Sequence, residues 1–234
     1  MGVYAGPDVS ESGLVLALDA GNVKSYPGSG TTWTDLSGRG NTGTLQSGPV
    51  YNSSSGGYFS FDGTDDYVST TTQFTNPSPY TIIVWFRTGS SNAKRIVGFE
   101  LNQTGTGSLN YDRNLYVGSD SKLYFCQYDG TVDVAISTMT VNDNVWRCAA
   151  ATYGGESTTM RLYINGVSNA TATSNFAQNY SGYWRLGSFK GTGWTNTSDG
   201  YFLGNIAQVL IYHRALSAAE IQQNFNALRG RYGI

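Results

Sequence analysis

The sequence is poor in charge, has one histidine, two cysteines and four glutamates, and contains no long apolar run. Asp, Glu, Lys and Arg make up 13% of its 234 residues, against about 25% in a typical domain. The net charge is only −2, which excludes a broad electrostatic footprint for nucleic acid. Leu14 to Leu18 is the first apolar stretch, too short for a membrane span or a signal-peptide core. The first basic residue is Lys24, so the charged start of a secretory signal is missing. Gly6 breaks the myristoylation pattern. The expectation is synthesis in a cytoplasm without a signal peptide and without membrane insertion. With His213 as the only histidine, a nucleophilic triad would have to be built on it. It lies between a strand-like and a helix-like segment, which favours local hydrogen bonding. Cys126 and Cys148 sit in the strand-like runs LYFCQY and VWRCAAATY. They read as two buried thiols, or as a pair if those strands are neighbours in register. No CxxC or Cys/His cluster suggests zinc.

What the chain has is turn chemistry and aromatics, with 30 Gly and 17 Tyr. Together with Ser, Thr and Asn in excess, these suit a turn-rich all-β protein. At this length a domain buries roughly three quarters of its unfolded surface and needs no disulfide or metal to make a core. No linker divides the chain, so residues 13–234 are expected to form one domain behind an N-terminal arm, residues 1–12.

Gly204 to Leu228 organises the rest. Ile206, Val209, Leu210, Ile211 and Tyr212 form a short β-branched run, long enough for a strand and too short for a core helix. Ser217 and Glu220 are spaced as a capping box. Ile221, Phe225 and Leu228 fall on one helical face, and Gly230 offers a stop. Leu14 to Asp19 is the other continuously apolar strand, so both of its faces should be covered. Between them, short strands recur from Tyr58 to Ser188, separated by signals such as Asp62-Gly63, Asp129-Gly130, Gly154-Gly155 and Asn165-Gly166. That pitch indicates a β-sandwich. Ala20 to Ser55 is loop-rich, with Trp33, Leu36, Leu45, Val50 and Tyr51 spaced to tack it to a surface.

Six segments in order resemble one known family. They are GLVLALDAGNVKSYPGSGTTWTDLSGRGNTGTL, FDGTDDYV, TIIVWFRT, VWRCAAATY with RLYINGV, WRLGS, and GNIAQVLIYHRALSAAEI. The chain is identified by them as a member of the laminin G-like modules of the concanavalin A-like lectin/glucanase superfamily, of the type found in tailed-bacteriophage virion proteins. The resemblance implies a jelly-roll sandwich of two antiparallel sheets, with first and last strands paired and one short C-terminal helix. It also implies a non-enzymatic virion surface protein, a head decoration or a part of a tail or fibre. Its partners would be other virion proteins and its own copies in a homo-oligomer, with weak binding of host cell-surface glycans as a second role. The first alternative is a free-standing, calcium-dependent carbohydrate-binding lectin, and a remote one is a glycoside hydrolase.

Relatives that hydrolyse β-glucans use a Glu-x-Asp-x-Glu strand, and retaining hydrolysis needs two carboxyl groups about 5 Å apart. Glu11, Glu100, Glu156 and Glu220 are never two or four residues apart, so no catalytic residue is assigned. Calcium, which many such modules bind, wants six to eight oxygens. Asp62, Asp65 and Asp66 are the best supply, the alternative being that they cap a turn and hold backbone N–H groups. A sugar site needs an exposed aromatic platform beside polar groups. Trp194, with Asn196, Asp199 and Tyr201 around it, is the first candidate, unless Trp194 is a lid over the sandwich edge. Trp33 is the second. Trp85 and Trp146, within strands, read as core.

Overall fold

Leu203–Tyr212 is the longest strand and lies at the middle of a sheet. The computed structural model describes residues 8–154 and 158–234. On one side the closing strand pairs with Tyr80–Arg87; on the other it pairs with Tyr58–Asp62 and then Leu14–Asp19. Leu16 faces Ile211 and Ala17 faces Leu210. The two ends of the chain therefore lie side by side, as their shared apolarity predicts. Arg147–Tyr153, Thr159–Ile164 and Val167–Thr173 extend this first sheet, and Val50–Asn52 ends its other edge. The second sheet runs Val132–Thr140, Lys122–Tyr128, Tyr111–Val117, Lys94–Glu100, Ser181–Leu186, Tyr67–Thr70, Gly43–Gln46 and Thr32–Trp33. All the ladders are antiparallel.

The period of two along each strand sorts the side chains. Ile82, Val84 and Phe86 enter the core between the sheets, while Ile83 and Trp85 point outward from the first sheet. Leu123 and Phe125 enter the same core, while Tyr124 and Cys126 point outward from the second. Two further apolar clusters thus form on the two outer faces. Cys126 and Cys148 lie one in each, both buried and both free, so the pairing left open by the sequence does not occur.

The helix Ala218–Leu228 covers the outer face of the first sheet, and Ser217 and Glu220 form the capping box. Gly230 does not stop the chain: Arg229–Tyr232 continues as a 3-10 turn, and Gly233 ends it at φ 72°. Packing explains the extra turn, because it brings Tyr232 onto Trp85 with ring centroids 4.3 Å apart. The N-terminal arm is described from Asp8. Ser10 N–H donates to Asn224 Oδ1 at 2.7 Å, and Gln223 Nε2 donates to the Asp8 carbonyl at 2.7 Å. This part lies along its own chain's helix; residues 1–7 and Glu156 are outside the described residues. Ala20 to Ser55 holds three short strands, with Trp33, Leu45 and Tyr51 turned in and Val50 exposed.

Candidate functional site

The outer face of the second sheet is covered by loops rather than by a helix. The cover includes the loop that carries Trp194, whose Thr195 carbonyl and Asn196 side chain bond Tyr116 and Tyr124. At its border is a groove of about 300 Å³, lined by Tyr111, Tyr128, Val132, Gln178, Trp194 and Leu109 among others.

A bulge builds the groove. The register of Tyr111–Val117 on Lys94–Glu100 shifts between Asp112 and Leu115, and Arg113 sits in the left-handed region at φ 53°. Bulges re-aim side chains in this way beside sites. The Arg113 guanidinium is buried over Phe99, 5.0 Å from the ring centroid. It donates to the carbonyls of Pro77 and Gln178, each at 2.9 Å. Asp112 accepts from Tyr128 N–H and Gln178 N–H, each at 2.9 Å. Burial raises the Asp112 carboxyl, against the pull of Arg113 and the backbone N–H groups. This pair pins Tyr128 and Gln178, two parts of the groove wall, to one floor. Gln178 lines the groove, while its Oε1 is buried and has no hydrogen-bond partner among the described residues.

Tyr111 and Trp194 meet edge to face at 6.2 Å, and Tyr111 Oη donates to the Thr192 carbonyl at 3.0 Å. Lys190 Nζ lies 5.5 Å from the Tyr111 ring centroid. Leu109 is 82% exposed and Phe176 55% exposed. Phe176 is on the segment that Asn175 ties to Asp129 at 2.7 Å, next to Tyr128.

The residues singled out from sequence divide. Trp33 is fully buried, 4.7 Å from Phe59, and is no platform; its loop is folded inward as strand Thr32–Trp33, which corrects its assignment as a sugar contact. Trp194 borders the groove but is only 8% exposed, so it is chiefly a lid over Tyr116 and Tyr124. Asn196 Nδ2 donates to Tyr124 Oη at 3.0 Å. Asp199 accepts from Gly191 N–H at 2.6 Å and Thr192 N–H at 2.8 Å. Burial works to raise Asp199, yet these bonds hold it below the usual range. Both polar residues fold the loop, and Tyr201 lies apart, 6.4 Å from Tyr67. Tyr111, Tyr128, Gln178 and Leu109 were not foreseen. Strand aromatics read as core, and only the position of Tyr128 beside the Asp129-Gly130 turn hinted at a strand end open to solvent.

Asp62, Asp65 and Asp66 do come together, with one ligand oxygen of each within 4.8 Å of the others. Thr64 N–H donates to Asp62 Oδ1 at 2.7 Å, and Asp62 N–H donates to Asp66 Oδ2 at 3.0 Å. The turn-cap reading is seen for Asp62 and Asp66, and the three carboxylates remain close enough to share an ion. Burial first, and Asp62 and Asp65 after it, raise the Asp66 carboxyl. A hard cation would relieve that repulsion, so the donor set fits calcium.

Glu100 is buried between Arg95 and Arg185. Glu220 is spent on the helix cap and Arg214. His213 Nδ1 bonds the Gly13 carbonyl at 2.8 Å, the local role expected of it. Among the described residues, no helix is long and apolar enough to cross a membrane.

Two packed antiparallel sheets with a loop-bordered aromatic groove define a lectin-like jelly roll. A laminin G family model, described as concanavalin A-like lectin/glucanases superfamily, matches residues 62–222, and the chain belongs to this family. No curated protein matches the chain significantly. Among solved structures it is similar to Trypanosoma rangeli sialidase in complex with sialic acid. The TM-score is 0.68 at 13% identity, over 99% of this chain and 36% of the sialidase. The chain thus spans about a third of that enzyme's length. It is also similar to domain 4 of AbnA, an extracellular arabinanase of Geobacillus stearothermophilus, in complex with arabinotriose. Here the TM-score is 0.56 at 14% identity, over 91% of this chain and 98% of that domain. At such identities the likeness is one of fold.

Proposed function

We propose that this chain is a non-enzymatic, glycan-binding surface protein of a phage particle, taking a saccharide in the Tyr111 groove. One observation carries the binding role: a groove walled by Tyr111, Tyr128 and Trp194, with the amide-bearing Gln178 in its lining and the exposed Leu109 on its rim. Aromatic side chains suit the C–H faces of a sugar, and polar groups beside them suit its hydroxyls. The arabinanase domain, similar in fold over nearly its whole length, was solved in complex with arabinotriose, which supports the same reading here.

A shallow site of this size binds at about millimolar strength, roughly 4 kcal/mol. Such a site works only in many copies, whose effective concentration multiplies the affinity. The virion setting, with its self-association and virion partners, rests on the ordered sequence landmarks and on this need for an array. A second reading, a free-standing calcium-dependent lectin, is favoured by the Asp62, Asp65 and Asp66 trio; there Asp65 and the free oxygens of its two neighbours would hold the ion.

The test is a glycan array with and without chelator, on wild type and Tyr111→Ala. Saccharide binding that falls at least tenfold in Tyr111→Ala and survives chelator is the expected result. Loss of binding with chelator alone selects the calcium-dependent lectin. Absence of the chain from purified particles of the source virus removes the virion role.

A further inference from the structure

Beside the start of the helix, the outer face of the first sheet keeps an open cavity of about 350 Å³. Strand alternation builds its floor. In Thr159–Ile164, Met160, Leu162 and Ile164 enter the core, so Arg161 and Tyr163 point outward. In Arg147–Tyr153, Ala149 and Ala151 enter the core, so Thr152 points outward too, directly opposite Arg161 in the ladder. Arg161, Tyr163 and Thr152 all line the cavity, and the chain from Ala215 to Ala218 forms a wall.

The floor carries polar groups that the fold does not use. Thr152 is 2% exposed and Tyr163 4% exposed. Neither hydroxyl has a hydrogen-bond partner among the described residues, yet each keeps accessible surface at the cavity that it lines. A buried hydroxyl without a partner calls for an explanation. Arg161 is exposed and has neither a carboxylate nor another acceptor among the described residues. Arg214 and Arg231, by contrast, each hold a carboxylate.

The helix supplies the third side. Ser217 Oγ accepts from Glu220 N–H, and the Ser217 carbonyl accepts from Ile221 N–H. The N–H groups of Ala218 and Ala219 are left over at the helix start, and Ala218 lines the cavity. Glu220 does not neutralise Arg161, because its carboxylate is ion-paired to Arg214 and accepts from Ser217 N–H. A guanidinium, two hydroxyls and a helix start thus surround one open space, and each can donate. A planar carboxylate is satisfied by a single guanidinium edge. Donors spread over a floor and a wall suit a tetrahedral oxyanion, which helix N-termini commonly hold.

We propose that this cavity is a second binding site, for a tetrahedral oxyanion of the phosphate or sulfate type, held by Arg161, Thr152, Tyr163 and the first N–H groups of the helix. It lies on the opposite outer face from the Tyr111 groove and does not depend on the saccharide reading. In the test, the full chain is titrated at constant ionic strength with inorganic phosphate, sulfate, glycerol phosphate and acetate. The amide resonances of Ala218 and Ala219 are followed by NMR. They are expected to move and saturate with a tetrahedral anion at about millimolar concentration, as for one small ion on an open site, and to move far less with acetate. Arg161→Gln is expected to weaken phosphate at least about tenfold, through loss of a charged donor. Tyr163→Phe, which keeps the ring in its cluster, should weaken it roughly fivefold. Equal binding of inorganic and glycerol phosphate supports a site open to phosphate esters, and binding of the inorganic ions alone supports one for the free ion. Resonances that stay still with every tetrahedral anion, that answer acetate equally, or that move alike in Arg161→Gln overturn the site. Arg161 is exposed, so its replacement leaves the core packing intact; should Tyr163→Phe not fold, the wild-type and Arg161→Gln titrations decide.

Discussion

The two outer faces of the sandwich begin from the same strand alternation and end differently. On the first sheet, Trp85 is stacked between Phe225 at 5.8 Å and Tyr232 at 4.3 Å. An amphipathic helix supplies those partners, so apolar surface meets apolar surface and the face is sealed. On the second sheet, Tyr116 stacks on Tyr124 at 5.1 Å, but its cover is a loop that is polar apart from Trp194. There Tyr116 Oη donates to the Thr195 carbonyl at 2.6 Å, and Asn196 holds Tyr124. A helix buries aromatic faces completely. A loop held by hydrogen bonds leaves edges and acceptors at its border, and the groove lies at that border.

The contrast is broken most directly by removing one indole from each face. Trp85→Ala should cost about 3–5 kcal/mol, as large core truncations do, with little effect on saccharide binding. Trp194→Ala should cost less, roughly 1–2 kcal/mol, because its loop opens without unfolding the sandwich, and should weaken binding. Urea unfolding and calorimetric titration of both variants measure this. Equal destabilisation by the two would mean that the loop is as integral as the helix. A smaller effect sharpens the sealed side: Ser217→Ala should cost about 1 kcal/mol through the lost cap and leave binding unchanged.

The sealed face was legible in the sequence. Its cap and its helical stripe follow from local periodicity, and the pairing of Leu14–Asp19 with the closing strand from the family resemblance and the shared apolarity of the two runs. The groove was not. Tyr111 looks like any strand tyrosine, and only the bulge at Arg113 turns it to a border. That bulge depends on contacts of Arg113 with Pro77 and Gln178, 36 and 65 residues away, which no local pattern encodes. Trp33 misled for the converse reason, since a tryptophan among Gly, Ser and Thr is indistinguishable from an exposed one until its loop folds back onto Phe59.

The smallest expected effect concerns two carboxyls that the fold shifts in opposite directions. On the helix side, the bond from Arg214, helped by those from Ser217, holds Glu220 down at about 2. A carboxyl lowered in the folded state adds stability above its unfolded value near 4.5, and that stability is lost as pH falls towards 2. Glu220→Gln should therefore flatten the acid limb of the stability curve. Near the second sheet, burial and the neighbouring Asp62 and Asp65 raise Asp66. Here the folded state prefers the proton, so its contribution declines as pH rises from the unfolded value through the folded one. Asp66→Asn keeps an acceptor for Asp62 N–H and removes the repulsion, so without added metal it should raise Tm slightly at pH 7. Calcium reverses the sign if the trio binds it: wild type then gains Tm with the ion, and the variant gains none. A Tm that ignores calcium in both proteins would leave the trio as a turn cap alone and remove the calcium-dependent reading.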